Sequence, residues 1–299
     1  MDETLSDLVE HRYAALGDVR LHYVEAGEGP LVVLLHGFPQ FWYMWRFQIP
    51  ALVEAGFRVV APDMRGYNLS EKPRGVRSYR VELLARDVER LILACGQESA
   101  VIVGHDWGAA VAWVTAMMHP GKVKQLGILN VPHPERFARG LLRPAQLLRS
   151  SYMFFFQVPR LPENALAARD FASLRYALRN EPVRPGAFTY EDIELYVEAL
   201  ARPGALTAAL NYYRALFRRN PLKARTLLRR IEAPVMVIWG ERDRYLSKEL
   251  AEPDPSWVPN LRVERLPDAS HFVAEDRPDD VNFLLLEFLR TPDGRRADG

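Results

Sequence analysis

Short runs of consecutive apolar residues alternate along this chain with longer stretches in which apolar positions recur every three or four residues. The first runs are Val19–Ala26, introduced by the turn pair Gly17-Asp18, and Leu31–Leu35. Runs of this length bounded by turn residues read as strands. Arg58–Asp63 predicts a third strand, Val81–Cys95 an amphipathic helix, Ala100–Gly104 a strand, and Ala109–His119 a helix stopped by Pro120-Gly121. Val123–Val131 is strand-like again. Continuous Val, Ile and Leu strands separated by helices are covered on both faces, which predicts a mostly parallel central sheet flanked by helices, an α/β fold.

The alternation breaks at Pro132-His133-Pro134. The following stretch, rich in Arg, Pro and aromatic residues, keeps a helical period and offers no strand until Val235–Trp239. Strand and helix then resume through Arg262–Leu266 and Val281–Leu289. The pattern predicts one core, residues 1–131 and 229–299, interrupted by an inserted helical cap at 132–228, with the polar tail Thr291–Gly299 disordered. There is no internal repeat and no low-complexity linker.

Composition narrows the class without naming a chemistry. With 299 residues, 48% hydrophobic and 26% charged, the chain can bury a substantial core. Its 39 basic and 38 acidic residues nearly cancel, so overall charge supplies no field suited to nucleic acid or an anionic membrane. The single cysteine, Cys95, excludes a disulfide within the chain and follows apolar Leu91-Ile92-Leu93-Ala94, which predicts a buried thiol and fits a reducing, cytoplasmic setting. The start Met1-Asp2-Glu3-Thr4 is acidic where a signal peptide would be basic, and no apolar run approaches the roughly 18 residues of a membrane span. A protein that is not exported and has no membrane span is expected.

Gly104-His105-Asp106-Trp107-Gly108 lies between a predicted strand and a predicted helix. This is the G-x-nucleophile-x-G elbow with aspartate where serine is usual. Aspartate is also a good helix cap, so the pentapeptide alone leaves Asp106 open as either cap or nucleophile. Asp243, just past the strand Val235–Trp239, and His271, after the strand Arg262–Leu266, supply an acid and a histidine in the chain order this fold uses. Either residue could be incidental, but three such residues at three strand ends are a much rarer coincidence, and that edge is where ligands bind an open parallel sheet. His36-Gly37-Phe38-Pro39 follows the strand Leu31–Leu35, so the N–H of Phe38, paired with that of Trp107, is placed to form an oxyanion hole. Asp106, Asp243 and His271 lack tight metal-ligand spacing, and neither metal nor cofactor is expected.

At this point the chain resembles the epoxide hydrolases of the α/β-hydrolase superfamily. The resemblance runs through His36–Arg46, Val59–Tyr67, Gly104–Gly108 and Ser270-His271-Phe272. Haloalkane and fluoroacetate dehalogenases share the aspartate nucleophile and the fold. Epoxide hydrolases carry two tyrosines that hydrogen-bond the epoxide oxygen, one in a Tyr-x-x-aromatic-Phe-Gln-x-Pro segment and one in an Asn-aromatic-Tyr-Arg segment. Tyr152-Met153-Phe154-Phe155-Phe156-Gln157-Val158-Pro159 and Asn211-Tyr212-Tyr213-Arg214 match them, so the resemblance assigns those roles to Tyr152 and Tyr213. Residue type alone would make these aromatics packing residues.

The resemblance implies an alkyl-enzyme ester on Asp106, hydrolysed by water that His271 and Asp243 activate, with a hydrophobic epoxide and water as substrates. Trp107, Phe38 and Phe155 are the expected substrate contacts. Haloalkane dehalogenases commonly have Asn where this chain has Phe38, and fluoroacetate dehalogenases have Arg where it has Trp107. A dehalogenase and a non-catalytic protein binding a small hydrophobic ligand are the alternatives; a serine esterase is disfavoured by the elbow itself.

Overall fold

The computed structural model describes residues 3–219 and 226–291. Eight strands form one sheet: β1 (Glu10–Ala15), β2 (Arg20–Ala26), β3 (Leu31–Leu35), β4 (Arg58–Pro62), β5 (Ala100–His105), β6 (Val123–Leu129), β7 (Val235–Gly240) and β8 (Leu261–Leu266). Their order is β1-β2-β4-β3-β5-β6-β7-β8, antiparallel at β1/β2 and β2/β4 and parallel elsewhere. β3 and β5 are buried along their whole length, which explains their unbroken apolar sequence. The expected strands fall within one or two residues of those observed.

β1 escaped the pattern. It is an edge strand whose side chains are mostly exposed, so Glu10-His11-Arg12-Tyr13 carries no apolar run, and only its pairing with β2 defines it. The helix expected at Ala109–His119 begins earlier, at Trp107. That helix (α4, Trp107–Met118) is apolar on all sides because it is packed between the sheet and the amphipathic helix α3 (Val81–Ala94); α1 (Glu3–Leu8) and α2 (Gln48–Glu54) precede them. Cys95 is a buried free thiol at the end of α3. The disorder expected of the tail falls, from residue 292 onward, outside the described residues.

Between β6 and β7 the described residues are helical: α5 (Pro134–Gly140), α6 (Pro144–Arg149), α7 (Tyr152–Phe155), α8 (Leu161–Asn180, broken at Ala168–Phe171), α9 (Tyr190–Ala201) and α10 (Ala205–Phe217). This segment is fastened to the loops that follow β4 and β7. Tyr212 Oη donates to the Arg65 carbonyl at 2.7 Å, and Arg202 Nε to Asn68 Oδ1 at 2.9 Å. Gln146 Nε2 donates to the Tyr245 carbonyl and Arg149 Nη1 to the Asp243 carbonyl, each at 2.8 Å. The helices therefore sit on the carboxyl edge of the sheet. No described helix is long and apolar enough to cross a membrane.

The chain leaves β3 toward β4 on one side and returns to β5 on the other, opening a crevice at the carboxyl ends of β3 and β5. Leu35 is in register with Gly104 there. The first turn of α4 lies directly on β3: a Cβ at Gly108 would sit 2.1 Å from the Leu35 carbonyl oxygen. Gly108→Ala should therefore lower stability by about 1–3 kcal/mol, the usual range for overpacking a rigid contact. Urea denaturation measures this, and a midpoint unchanged from the parent would contradict it.

Candidate active site

β5 ends at His105 and α4 begins at Trp107, leaving Asp106 alone in the turn with φ 49° and ψ −123°. A non-glycine residue held at positive φ is strained, and such strain is tolerated where the surroundings over-determine it. Here the Phe38 N–H donates to Asp106 Oδ1 at 2.7 Å, and the neighbouring Trp107 N–H helps to lower the pKa of the carboxylate. Gly37 permits this approach, since a Cβ there would lie 2.3 Å from that of Asp106. The loop is held in turn by buried His36, whose Nε2 accepts from the Met64 N–H at 2.9 Å while Nδ1 faces the Gly37 carbonyl. Burial lowers the His36 pKa, consistent with a neutral ring in that position.

His271 Nε2 stands 3.6 Å from Asp106 Oδ2, and its Nδ1 is 2.8 Å from Asp243 Oδ2. The three residues named from their order along the chain thus meet at one point. Asp243 Oδ1 accepts the N–H groups of Tyr245 and Leu246, at 2.7 and 2.9 Å, which fixes the acid within its own loop. Burial disfavours a charged His271, but the Asp243 charge and hydrogen bond and the nearby Asp106 carboxylate outweigh it and push the pKa up to about 10. Burial likewise opposes ionisation of Asp106, yet its hydrogen bond and charge pairing with His271 hold its pKa below the ordinary carboxylate value. These directions favour a carboxylate at Asp106 and a protonated ring at His271, which lies between Asp106 and Asp243.

Tyr152 and Tyr213 reach the same point from α7 and α10. Their rings pack edge-on 5.9 Å apart, and the Trp107 ring packs edge-on against Tyr213 at 5.0 Å. Burial first, and the Asp106 charge next, raise both phenol pKa values above the usual tyrosine value, so both hydroxyls keep their protons at neutral pH. Arg214 sets their spacing: it donates to the carbonyls of Phe156 and Val158, at 2.9 and 3.0 Å, and pairs with Glu163 at 2.6 Å. Phe38 packs edge-on against Tyr213 and Phe156.

One expected contact needs correction. Phe155 is exposed on the outer side of α7, whereas Phe156 is buried against Phe38, Tyr152 and Tyr213. In a helical turn one residue is a rotation of about 100°, and the all-aromatic run Phe154-Phe155-Phe156 gives no polar marker of which side faces inward.

Three supporting residues carry no mark in the sequence. Asn130, at φ 46° just past β6, donates to Asp243 Oδ2 at 2.8 Å and accepts the Gly240 N–H at 2.8 Å, tying the end of β6 to the acid. His105, lowered to a pKa of about 4 chiefly by burial, bonds the His271 carbonyl through Nε2 at 2.7 Å. Tyr245 lays its ring against both His271 and Tyr152, and its hydroxyl donates to Glu181 at 2.6 Å. An asparagine at a strand end, which tolerates positive φ, is the only signal that could have pointed to any of them.

A catalytic elbow at the crevice of a mostly parallel sheet, with an acid and a histidine from the next strand ends, defines a hydrolase-type site. Residues 30–278 match the family described as alpha/beta hydrolase fold. The AB hydrolase superfamily protein YfhM of Bacillus subtilis is 44% identical over 95% of this chain and 99% of its own length. Epoxide hydrolase 4 of Mus musculus is 39% identical over 94% of this chain and 79% of its own length. Among solved structures, the epoxide hydrolase of Bacillus megaterium in complex with an inhibitor is 34% identical and superposes with a TM-score of 0.85, covering 94% of this chain and all of that one. The chain belongs to the α/β-hydrolase superfamily, in its epoxide hydrolase family.

The raised pKa of His271 has a consequence for stability. The folded protein holds that proton more tightly than the unfolded chain, so the contribution is complete below about pH 6.5, the ordinary imidazole value. It is lost as pH rises to about 10. Thermal denaturation of the parent and of His271→Gln between these limits should show the parent losing stability relative to the variant as pH increases. A constant difference would mean that His271 carries no extra proton.

Proposed function

We propose that this protein hydrolyses a hydrophobic epoxide to a vicinal diol, with Asp106 as nucleophile and residues 132–228 as the cap over the site. The observation that carries the reading is the position of two protonated phenols, Tyr152 and Tyr213, near a carboxylate whose Oδ1 already accepts the Phe38 N–H. The names of the relatives agree with it.

In the first step Asp106 Oδ2 attacks an epoxide carbon and the carbon–oxygen bond breaks, while a phenol gives its proton to the departing alkoxide. An alkoxide is far more basic than a phenolate, so this transfer runs downhill. The phenolate regains a proton from the His271 imidazolium. Esterification also removes the Asp106 charge that helped to raise the His271 pKa; Asp243 remains, burial opposes it, and the ring becomes a competent base. His271 then takes a proton from water as its oxygen bonds the ester carbon. Oδ1 becomes an oxyanion without leaving the Phe38 N–H, and the adjacent Trp107 N–H is the second donor of the hole. Collapse releases the diol, which takes the remaining proton, and restores the carboxylate and imidazolium.

The dehalogenase alternative is weakened by Phe38 and Trp107, which stand where haloalkane dehalogenases commonly have Asn and fluoroacetate dehalogenases typically have Arg. Incubation with styrene oxide and with 1-chlorobutane, following diol and chloride, tests the choice. Diol should form, and Asp106→Asn should abolish it; chloride alone would place the protein with the dehalogenases, and neither product would favour a binding protein. His271→Gln should accumulate an epoxide adduct on the Asp106 peptide, visible by mass spectrometry. The double change Tyr152→Phe, Tyr213→Phe should slow adduct formation by about 10²-fold or more; full activity would return both tyrosines to a packing role.

A further inference from the structure

The outer side of the 132–228 segment departs from the usual pattern of a surface helix, which turns polar residues to water. Leu147 and Leu148 on α6 and Phe154 and Phe155 on α7 face outward, while Gln146, Met153 and Phe156 on the same helices face inward. Leu142 and Val158 are exposed in the turns beside them, and Leu161 at the start of α8. Leu142 and Leu148 are 84% and 75% exposed. Phe154 rests on exposed Phe217 of α10, 5.0 Å between rings, which extends the patch to a neighbouring helix. A concentrated apolar surface of this kind marks an interaction site.

Charge indicates the partner. Between Glu135 and Glu163 the chain has five arginines and no acidic residue; Arg139 pairs with Glu135, Arg136 and Arg149 donate to the Glu249 and Asp243 carbonyls, and Arg143 and Arg160 are exposed at the patch. The nearly zero net charge of the whole chain conceals this local excess. A second copy docked through a two-fold axis would set these arginines against one another. A surface that is apolar below and negative above matches both features.

We propose that this face of the cap docks on an anionic phospholipid bilayer, with the leucine and phenylalanine side chains entering the interface and Arg143 and Arg160 pairing with lipid phosphates. Residues of opposite character on α6 and α7 thereby serve two surfaces at once. The pocket side, with Tyr152 and Phe156, would lie about one helix diameter, ~10 Å, from the membrane plane. For an apolar epoxide dissolved in the bilayer that is a short route to the site; this consequence rests on the epoxide reading, whereas docking itself does not.

Sedimentation of the purified protein with vesicles of phosphatidylcholine alone, or of phosphatidylcholine mixed with phosphatidylglycerol, tests the proposal independently of turnover. Binding is expected to the mixed vesicles only and to weaken with added salt. Arg143→Gln should reduce it about five-fold, the contribution of one arginine at such a surface, and Leu142→Gln with Leu148→Gln should reduce it further. Circular dichroism melts and diol formation in vesicle-free buffer check that the variants are folded. Absence of binding, or equal binding to both vesicles, overturns the proposal. So does concentration-dependent dimerisation that the leucine changes abolish, which would identify a second copy as the partner.

Discussion

The architecture of this protein turns on keeping one carboxylate ionised in a place that excludes most water. Asp106 sits in a strained turn at the end of a buried strand, where its charge would ordinarily be driven off by protonation. It survives because fixed partners surround it: the Phe38 N–H from the β3 loop, the start of α4 that follows it, and the His271 ring from the loop after β8. Those partners come from distant parts of the sequence. Only the reversal of strand order between β3 and β5 brings the first two together, and only the close contact of α4 with the β3 backbone fixes their distance.

The same requirement explains why the helices over the sheet are more than a cover. Asp243 needs a rigid loop to hold His271 at the right distance, and the loop is gripped from outside by Gln146 and Arg149 of α6 and by Glu181 through Tyr245. From within the core, Asn130 secures the same carboxylate. The acid is therefore shared between two parts of the chain. Movement of the helical segment would loosen the triad as well as open the pocket, so on the proposed mechanism substrate entry and the state of His271 are mechanically connected.

How much of this was legible in the sequence depended on the physics that fixes each residue. Strands buried on both faces, such as β3 and β5, announce themselves by composition, and Asp106, Asp243 and His271 by their places at strand ends. β1 gives no such signal because an edge strand is defined by hydrogen bonds to a neighbour. His105 and Asn130 are equally silent: each acts through one contact with a residue more than a hundred positions away, and neither contact leaves a periodicity. Phe155 shows a third limit. A short helix with aromatics at consecutive positions does not disclose its rotation, and it is the anchoring of the Phe156 carbonyl by Arg214 that decides which ring faces the tyrosines.

That last point bears on why the α7 segment is aromatic on every side. Inward, Tyr152 and Phe156 need ring contacts because hydroxyls aimed at a charged group are useful only when their positions are held, and edge-to-face packing holds them with few polar atoms that could compete for a reacting oxygen. Outward, Phe154 and Phe155 gain nothing from that task, and charged residues there would have served a protein facing only water. Their persistence beside Leu147 and Leu148, within a stretch free of acidic residues, is a cost in solubility that the inner site does not require. On the proposed docking, the two sides of one short helix therefore answer to two different environments, a reacting pocket within and a lipid interface without.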